Sequence, residues 1–393
     1  MKFPNPMLCN NPQPDGRMSA MATRLCGAVM LGALATLIGC ASGVEAPKPA
    51  ELAPNAALLG VRQAWSAKIG EVNFPADVKV VGNTVTAASS DGTIAAIDAR
   101  TGGDIWRSNV GAAIAAGVGS DGRFAAVVTR SNELVTLDAG REIWRQTLPA
   151  LSFTAPLVAG ARVFVLTADR SVTAFDALSG RKLWTQVRAG EPLVLRQAGV
   201  LLAVGDTLVV GLSGRLVGMN PQNGSSRWEA PVGVSRGTND VERLVDLVSK
   251  VSREGDTVCV RAFQAAVGCV NAVTGNLLWT RPALGYEGLH GNEKFVYGTE
   301  GDGKVVAWNR ESGERAWESE RLKYRGLTAP LAVGRSVAIG DNTGLVHLLS
   351  REDGSALNRV ATDGTAIVAA PALAGETLVV VTRSGGIFGF RPE

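Results

Sequence analysis

Catalysis and metal binding draw on a short list of side chains, and this chain is poor in them. His290 and His347 are its two histidines, 57 residues apart. His347 sits in the apolar run Leu345–Leu349, where an imidazole is better suited to packing than to holding a ligand. The five cysteines, Cys9, Cys26, Cys40, Cys259 and Cys269, form no Cys-x-x-Cys motif and no cluster with histidine. No Gly-x-x-x-x-Gly-Lys-Ser/Thr phosphate loop occurs. Pairs such as Asp302-Gly303 are turn residues and do not build the spaced acidic set of a calcium loop. The residues therefore point to no catalytic, metal-binding or cofactor-binding centre, and the chemistry left to the chain is recognition.

Composition narrows the recognition. A net charge of +3 and the lack of any long basic run argue against a nucleic-acid partner. Only 19% of residues are charged, while 47 are glycine. That balance suits many short strands joined by tight turns, and 393 residues is a length that a closed repeat architecture can absorb.

Residues 1–39 read as a targeting segment. Arg24 provides a positive flank, and Leu25–Gly39 is an uncharged, mostly apolar core of about 15 residues, short of the ~20 that span a bilayer. Residues 1–20 are Pro- and Asn-rich, so translation more plausibly begins at Met18 or Met21. The core ends in Leu37-Ile38-Gly39-Cys40, which resembles the lipobox of bacterial lipoproteins. That resemblance implies cleavage before Cys40, lipidation of its thiol and a membrane anchor. Ala41 in place of Asp implies export to the outer membrane, at its periplasmic face. Residues 40–60, with Pro47, Pro49 and Pro54 among small residues, read as a flexible tether.

One pattern then recurs to the end of the chain. A tryptophan follows a glycine by four residues at Gly102/Trp106, Gly140/Trp144, Gly180/Trp184, Gly224/Trp228, Gly275/Trp279 and Gly313/Trp317; in Gly354/Asn358 the tryptophan is lost. Successive positions are 38, 40, 44, 51, 38 and 41 residues apart, the period of a four-stranded propeller blade. A polar residue precedes each position at Asp98, Asp138, Asp176, Asn220, Asn271, Asn309 and Ser350. Turn pairs such as Asp91-Gly92, Ser213-Gly214 and Gln264-Ala265 precede those in turn, and several suit two-residue hairpins. An eighth unit starts at Gly375 and runs out before its fourth strand, while Trp65 stands 41 residues before Trp106. The pattern predicts an all-β, eight-bladed propeller over 61–393, closed by the N-terminal strand, which leaves the ring no open end. With a two-residue loop at Gln264-Ala265, Cys259 faces position 270 and Cys269 points to the opposite sheet face, so no disulfide is expected.

The form at Ile97–Trp106 and Phe175–Trp184 resembles the tryptophan-docking repeat of quinoprotein dehydrogenases. Those enzymes carry adjacent cysteines under their cofactor, and no Cys-Cys pair occurs here. Lipobox, length and eight copies together resemble the propeller lipoproteins of the outer-membrane β-barrel assembly machinery. Leu193-Val194-Leu195-Arg196 matches that family's Leu-x-Leu-Arg loop; Arg236-Gly237 followed by Glu242-Arg243-Leu244-Val245-Asp246 matches its second segment. The resemblance implies that Leu193, Leu195, Arg196, Arg236, Arg243 and Asp246 bind the periplasmic domains of the central barrel-forming assembly protein. Unfolded outer-membrane clients would be a further partner. A family acid two residues after Asp246 is Val248 here, which implies a weaker acidic half of the patch. The same segments stand out by spacing, since they fall in the two longest intervals and belong to successive blades. The alternatives are a quinoprotein-like oxidoreductase or small-ligand sensor, and a purely structural envelope lipoprotein.

Overall fold

The computed structural model describes residues 47–188, 193–234, 238–239 and 244–393. Eight four-stranded antiparallel sheets follow one another in the chain, as blades 1 to 7 at 79–109, 119–147, 157–187, 201–231, 247–282, 289–319 and 331–361. Blade 8 takes its first three strands from 372–392 and its fourth from Val61–Lys68. That closing strand pairs with Gly386–Pro392 from Val61 opposite Pro392 to Lys68 opposite Gly386, with one register shift between Gln63 and Trp65. First strands of neighbouring blades touch, as 79–81 does with 119–120 and with 372–374, and so line the axis of the ring. The propeller and its closure are as the repeat predicts.

The repeat residues explain why the blades stack. The ring of each repeat tryptophan lies over the turn glycine of the next blade: Trp65 on Gly102, Trp106 on Gly140, Trp144 on Gly180, Trp184 on Gly224, Trp228 on Gly275, Trp279 on Gly313 and Trp317 on Gly354. A β-carbon at Gly102 would stand 2.8 Å from the Trp65 ring, and φ there is +75°, so both space and backbone require glycine. Five of the indoles also donate to a carbonyl of the next blade, from Trp65 to Ala99 at 2.7 Å through Trp317 to Arg351 at 2.9 Å. That carbonyl always belongs to the residue after the conserved polar position. The polar side chain caps the same turn, as when Asp98 Oδ1 accepts the Arg100 N–H at 2.8 Å. At Asn358 there is no following turn to dock on, because the third and fourth strands of blade 8, Gly386–Pro392 and Val61–Lys68, are not consecutive in the chain. Its amide donates to the Leu59 carbonyl at 2.6 Å and its oxygen accepts from Asn55 at 2.8 Å.

Three expectations need correction. The hairpins between second and third strands mostly have three-residue loops: Ser89 bonds Thr93, Thr129 bonds Glu133, and the same holds at Thr167, Glu300, Asp341 and Thr382. The left-handed residue is the third, at Gly92, Asn132, Arg170, Gly303, Gly344 and Gly385. Only Ser213-Gly214, between the paired Leu212 and Arg215, is a two-residue loop. Second, the hairpin of blade 5 pairs Ala262 with Ala266 around Phe263–Ala265, which places Cys259 opposite Cys269. The two are joined in a disulfide. The expected loop was one residue too short, and a one-residue slip moves a side chain to the other face. Third, the second half of the 40–60 tether is held in place. Leu52 packs into the core shared by blades 6 and 7, and the Ala50 N–H donates to the Lys323 carbonyl at 2.9 Å. The Leu58 N–H donates to Leu357 at 2.7 Å, so 49–60 lies along the outer edge of blade 7.

Candidate interaction surface

In each blade the fourth strand leads to the next blade's first strand across one face of the ring, and the second-to-third hairpins lie on that same face. The described ends of the two long connections, 193–200 and 244–246, are neighbours there, and one carboxylate joins them. Asp246 Oδ2 accepts the Leu195 N–H at 2.9 Å, and its Oδ1 pairs with Arg170 Nη1 at 3.2 Å. Arg170, buried at the left-handed corner of the blade 3 hairpin, also donates from Nη2 to the Leu193 carbonyl at 2.8 Å. The Asp246 carbonyl accepts the Phe263 N–H at 3.0 Å. Blade 3, the connection into blade 4 and the hairpin of blade 5 thus meet at one residue, the first two at its carboxylate and the third at its carbonyl. Hydrogen bonds to a charged group in such a sheltered place are the stronger kind.

The far end of the first loop is also pinned. The Gly199 N–H donates to Thr154 Oγ1 at 2.9 Å, the Ala198 carbonyl accepts from Ser249 N–H at 2.8 Å, and the Gln197 amide donates to the Tyr286 carbonyl. Between these anchors the side chains divide. Leu193 is 41% exposed, Arg196 is exposed, and Leu195 is half-buried over a small pocket that Phe153, Leu166 and Leu247 help to line. The Arg196 guanidinium stands 6.0 Å from the Phe153 ring, at the outer limit of a cation–π contact. An exposed leucine and an exposed arginine are thus presented on a braced loop, and arginine is among the residues enriched at binding hot spots.

Arg196 also borders a funnel of about 680 Å³ at the axis, lined by 72–77, 196–198, 249–250, 286–287, 326–329 and 366–370 with a few neighbours. Lys250, in a stretch of blade 5 where pairing breaks between Val248 and Ser252, forms an ion pair with Asp77 of the segment leading into blade 1. Blades 1 and 5 stand opposite in the ring, so this pair spans the axis. Deeper, burial pushes the Glu287 carboxyl up to about 7, although Arg261 pulls it down. Burial, with Lys250 and Arg310 adding repulsion, pushes His290 down to about 4.

Of the residues that sequence places in the patch, Leu193, Leu195, Arg196 and Asp246 come together. Arg236 and Arg243 lie outside the described residues, as do Cys40 and the targeting segment. Val248 is 1% exposed in the first strand of blade 5, so an acid at that position would not belong to the surface. Arg170 and Phe153 escaped the sequence reading; a non-glycine at the left-handed corner of a hairpin was the one available signal for Arg170. The histidines stay apart: His290 Nδ1, in the first strand of blade 6, accepts the Ala332 N–H of blade 7 at 3.2 Å, and the buried His347 contacts Asp341 at 2.9 Å. Among the described residues no cluster of His, Cys, Asp and Glu could hold a metal ion.

Known proteins resemble this chain in sequence and in fold. A family model described as outer membrane protein assembly factor BamB matches residues 90–319. The outer membrane protein assembly factor BamB of Burkholderia pseudomallei is 36% identical over 366 residues, covering 92% of this chain and 96% of that protein. The crystal structure of BamB from Moraxella catarrhalis superposes with a TM-score of 0.77 at 26% identity, covering 84% of this chain and 99% of that one. Quinohemoprotein alcohol dehydrogenase from Comamonas testosteroni reaches a TM-score of 0.65 at 15% identity, covering 88% of this chain and 79% of that one, a likeness of fold alone. On its repeat, its closure and these matches, the chain belongs to the outer membrane protein assembly factor BamB family.

Proposed function

We propose that the chain is a non-catalytic scaffold lipoprotein, anchored through Cys40 at the periplasmic face of the outer membrane. It binds the central barrel-forming assembly protein and so aids insertion of β-barrel proteins. Leu193, Leu195 and Arg196 make the contact, Arg236 and Arg243 contribute to it, and Asp246 holds the first loop in its binding shape. The observation that supports this most is the convergence of both long connections on Asp246, next to an exposed leucine and an exposed arginine. A preformed loop spares a partner the cost of ordering it.

Co-purification from detergent-extracted membranes tests the reading. The wild-type chain should bring the barrel-forming protein with it, and Arg196→Ala should bring much less. Equal recovery of the partner by both would overturn the assignment of this surface.

A further inference from the structure

The strap formed by 49–60 runs from one face of the propeller to the other. At its C-terminal end the Leu58 carbonyl accepts from Arg335, in the turn between the first and second strands of blade 7. At its N-terminal end the Ala50 N–H bonds Lys323 and its carbonyl accepts from Arg325 Nη1 at 3.2 Å, in the connection from blade 6 to blade 7. Connections of that kind share their face with 188–200 and 232–246. The chain therefore joins the propeller at the rim of the face that carries Leu193, Leu195 and Arg196.

We infer that the strap ties the lipid anchor to the docking side of the ring, so that the Leu193–Arg196 face engages its partner on the membrane side of the propeller. The inference rests on the lipid-anchor reading above. Its force comes from chain length. A random chain of nine residues, the span from Cys40 to Pro49, averages about 17 Å end to end, less than the roughly 20 Å between the faces, whereas one of 21 residues from Cys40 to Val61 would average about 25 Å and let either face approach the bilayer. Asn55 with Asn358, the Arg359 guanidinium with the Ala53 carbonyl at 3.4 Å, and Leu52 in the core of blades 6 and 7 hold the strap between its ends. The partner segment that fits is thus one lying between propeller and lipid headgroups.

The test uses the full lipidated chain on vesicles that carry an energy-transfer acceptor on their headgroups. With Cys259 and Cys269 bridged, a single introduced cysteine is the thiol to label with the donor. Arg321→Cys lies on the docking face and Glu311→Cys on the opposite face, separated by the strand Arg315–Ser319, a distance on the order of 20 Å. Transfer from position 321 should exceed that from position 311. Fifteen Gly/Ser residues inserted before position 47 should shrink the difference without touching the propeller. The double variant Leu52→Ala with Asn358→Ala should shrink it by freeing the strap, with circular dichroism reporting that the blades remain. Equal transfer from both positions, on vesicles that carry the protein, would overturn the inference and leave the anchor reading standing. If the wild-type chain does not float with the vesicles, the anchor reading fails and takes the inference with it.

Discussion

The Leu195 amide and the Asp246 carboxylate, 51 positions apart in the chain, meet at 2.9 Å and hold the two long connections as one unit. Asp246 is the brace of this surface more than a contact on it. Its side chain is 17% exposed, with one oxygen given to Leu195 and the other to Arg170. The acidic part of the patch therefore acts from behind, by setting the shape that Leu193 and Arg196 present.

Asp246→Ala should release that shape. The Leu195 N–H loses its acceptor and the sheltered Arg170 loses a carboxylate, changes that together cost about 1–3 kcal/mol. Partner affinity should fall, and urea unfolding of the isolated propeller should shift to lower midpoint. An Asp246→Asn chain keeps an acceptor for Leu195 and should recover part of the affinity. If Asp246→Ala weakens binding with no change in the unfolding curve, the residue touches the partner directly.

Ring closure makes a second prediction. Trp65, from the strand that completes blade 8, docks on Gly102 of blade 1 and is 8% exposed. Gly102→Ala would force a β-carbon into that ring and strain a left-handed backbone, with a cost of about 2 kcal/mol or more. Gly82 is also left-handed, but a β-carbon there meets nothing within 4 Å. Gly82→Ala should therefore cost about 1 kcal/mol of backbone strain alone. Comparable melting temperatures for the two variants would mean that the tryptophan joint carries little of the closure.

The glycine–tryptophan spacing was readable because one physical need, a ring lying where a β-carbon would be, recurs at seven of the eight blade junctions. Closure was readable for the same reason, since Trp65 keeps the period. Loop length was not. Asp-Gly and Ser-Asn pairs serve two- and three-residue hairpins alike, and Phe263–Ala265 has no glycine to mark its corner. The strap was missed because Pro49, Pro54 and the alanines between them have the composition of a linker. What holds the strap is a few contacts far away in sequence, such as Asn55 with Asn358. Of the surface, the apolar and basic residues were visible as a motif, whereas Arg170 carries no sequence mark beyond an unusual turn position.

The disulfide yields a third prediction. Cys259 and Cys269, ten positions apart and fully buried, should reveal themselves as an intact mass lower by a pair of hydrogens, restored after unfolding in reductant. A loop of that length contributes about 2–3 kcal/mol by limiting the unfolded chain. Cys259→Ala with Cys269→Ala should lower the melting temperature accordingly and leave partner binding unchanged. A native mass with both thiols free would overturn the bridge.

Two buried groups set opposing pH dependences. Glu287 titrates near 7 in the fold against 4.5 unfolded, because burial disfavours its charge. Its contribution is whole below 4.5 and is lost as pH rises to about 7, by ~1.4 kcal/mol per unit. His290 titrates near 4 in the fold against 6.5 unfolded, again through burial, with Lys250 and Arg310 adding to it. Its contribution is lost as pH falls from 6.5 to 4. The slopes oppose between 4.5 and 6.5. Glu287→Gln should leave a stability that rises from pH 4 to 6.5, and His290→Asn one that falls from 4.5 to 7. Urea midpoints at half-unit steps would show it; parallel profiles for both variants and wild type would refute the assignment.

The last prediction separates contact from support on the proposed docking face. Arg196 is exposed, and its guanidinium rests only loosely on Phe153 at 6.0 Å. Removing it takes little from the fold, so Arg196→Ala should unfold with the wild-type curve. If the arginine is an anchor for the partner, the same change should weaken binding by ~2 kcal/mol, about thirtyfold. Leu195 differs, because its side chain is half-buried beside Phe153, Leu166 and Leu247. Truncating it opens space beneath the loop, so Leu195→Ala should lose affinity and about 1–2 kcal/mol of stability together. Leu193, 41% exposed, should follow Arg196. Titration of each variant with the periplasmic domains of the barrel-forming protein, set beside its unfolding curve, gives the two readings needed. Should Arg196→Ala and Leu193→Ala both bind as tightly as wild type, the partner docks elsewhere on the ring, and the braced loop serves only to close the funnel mouth.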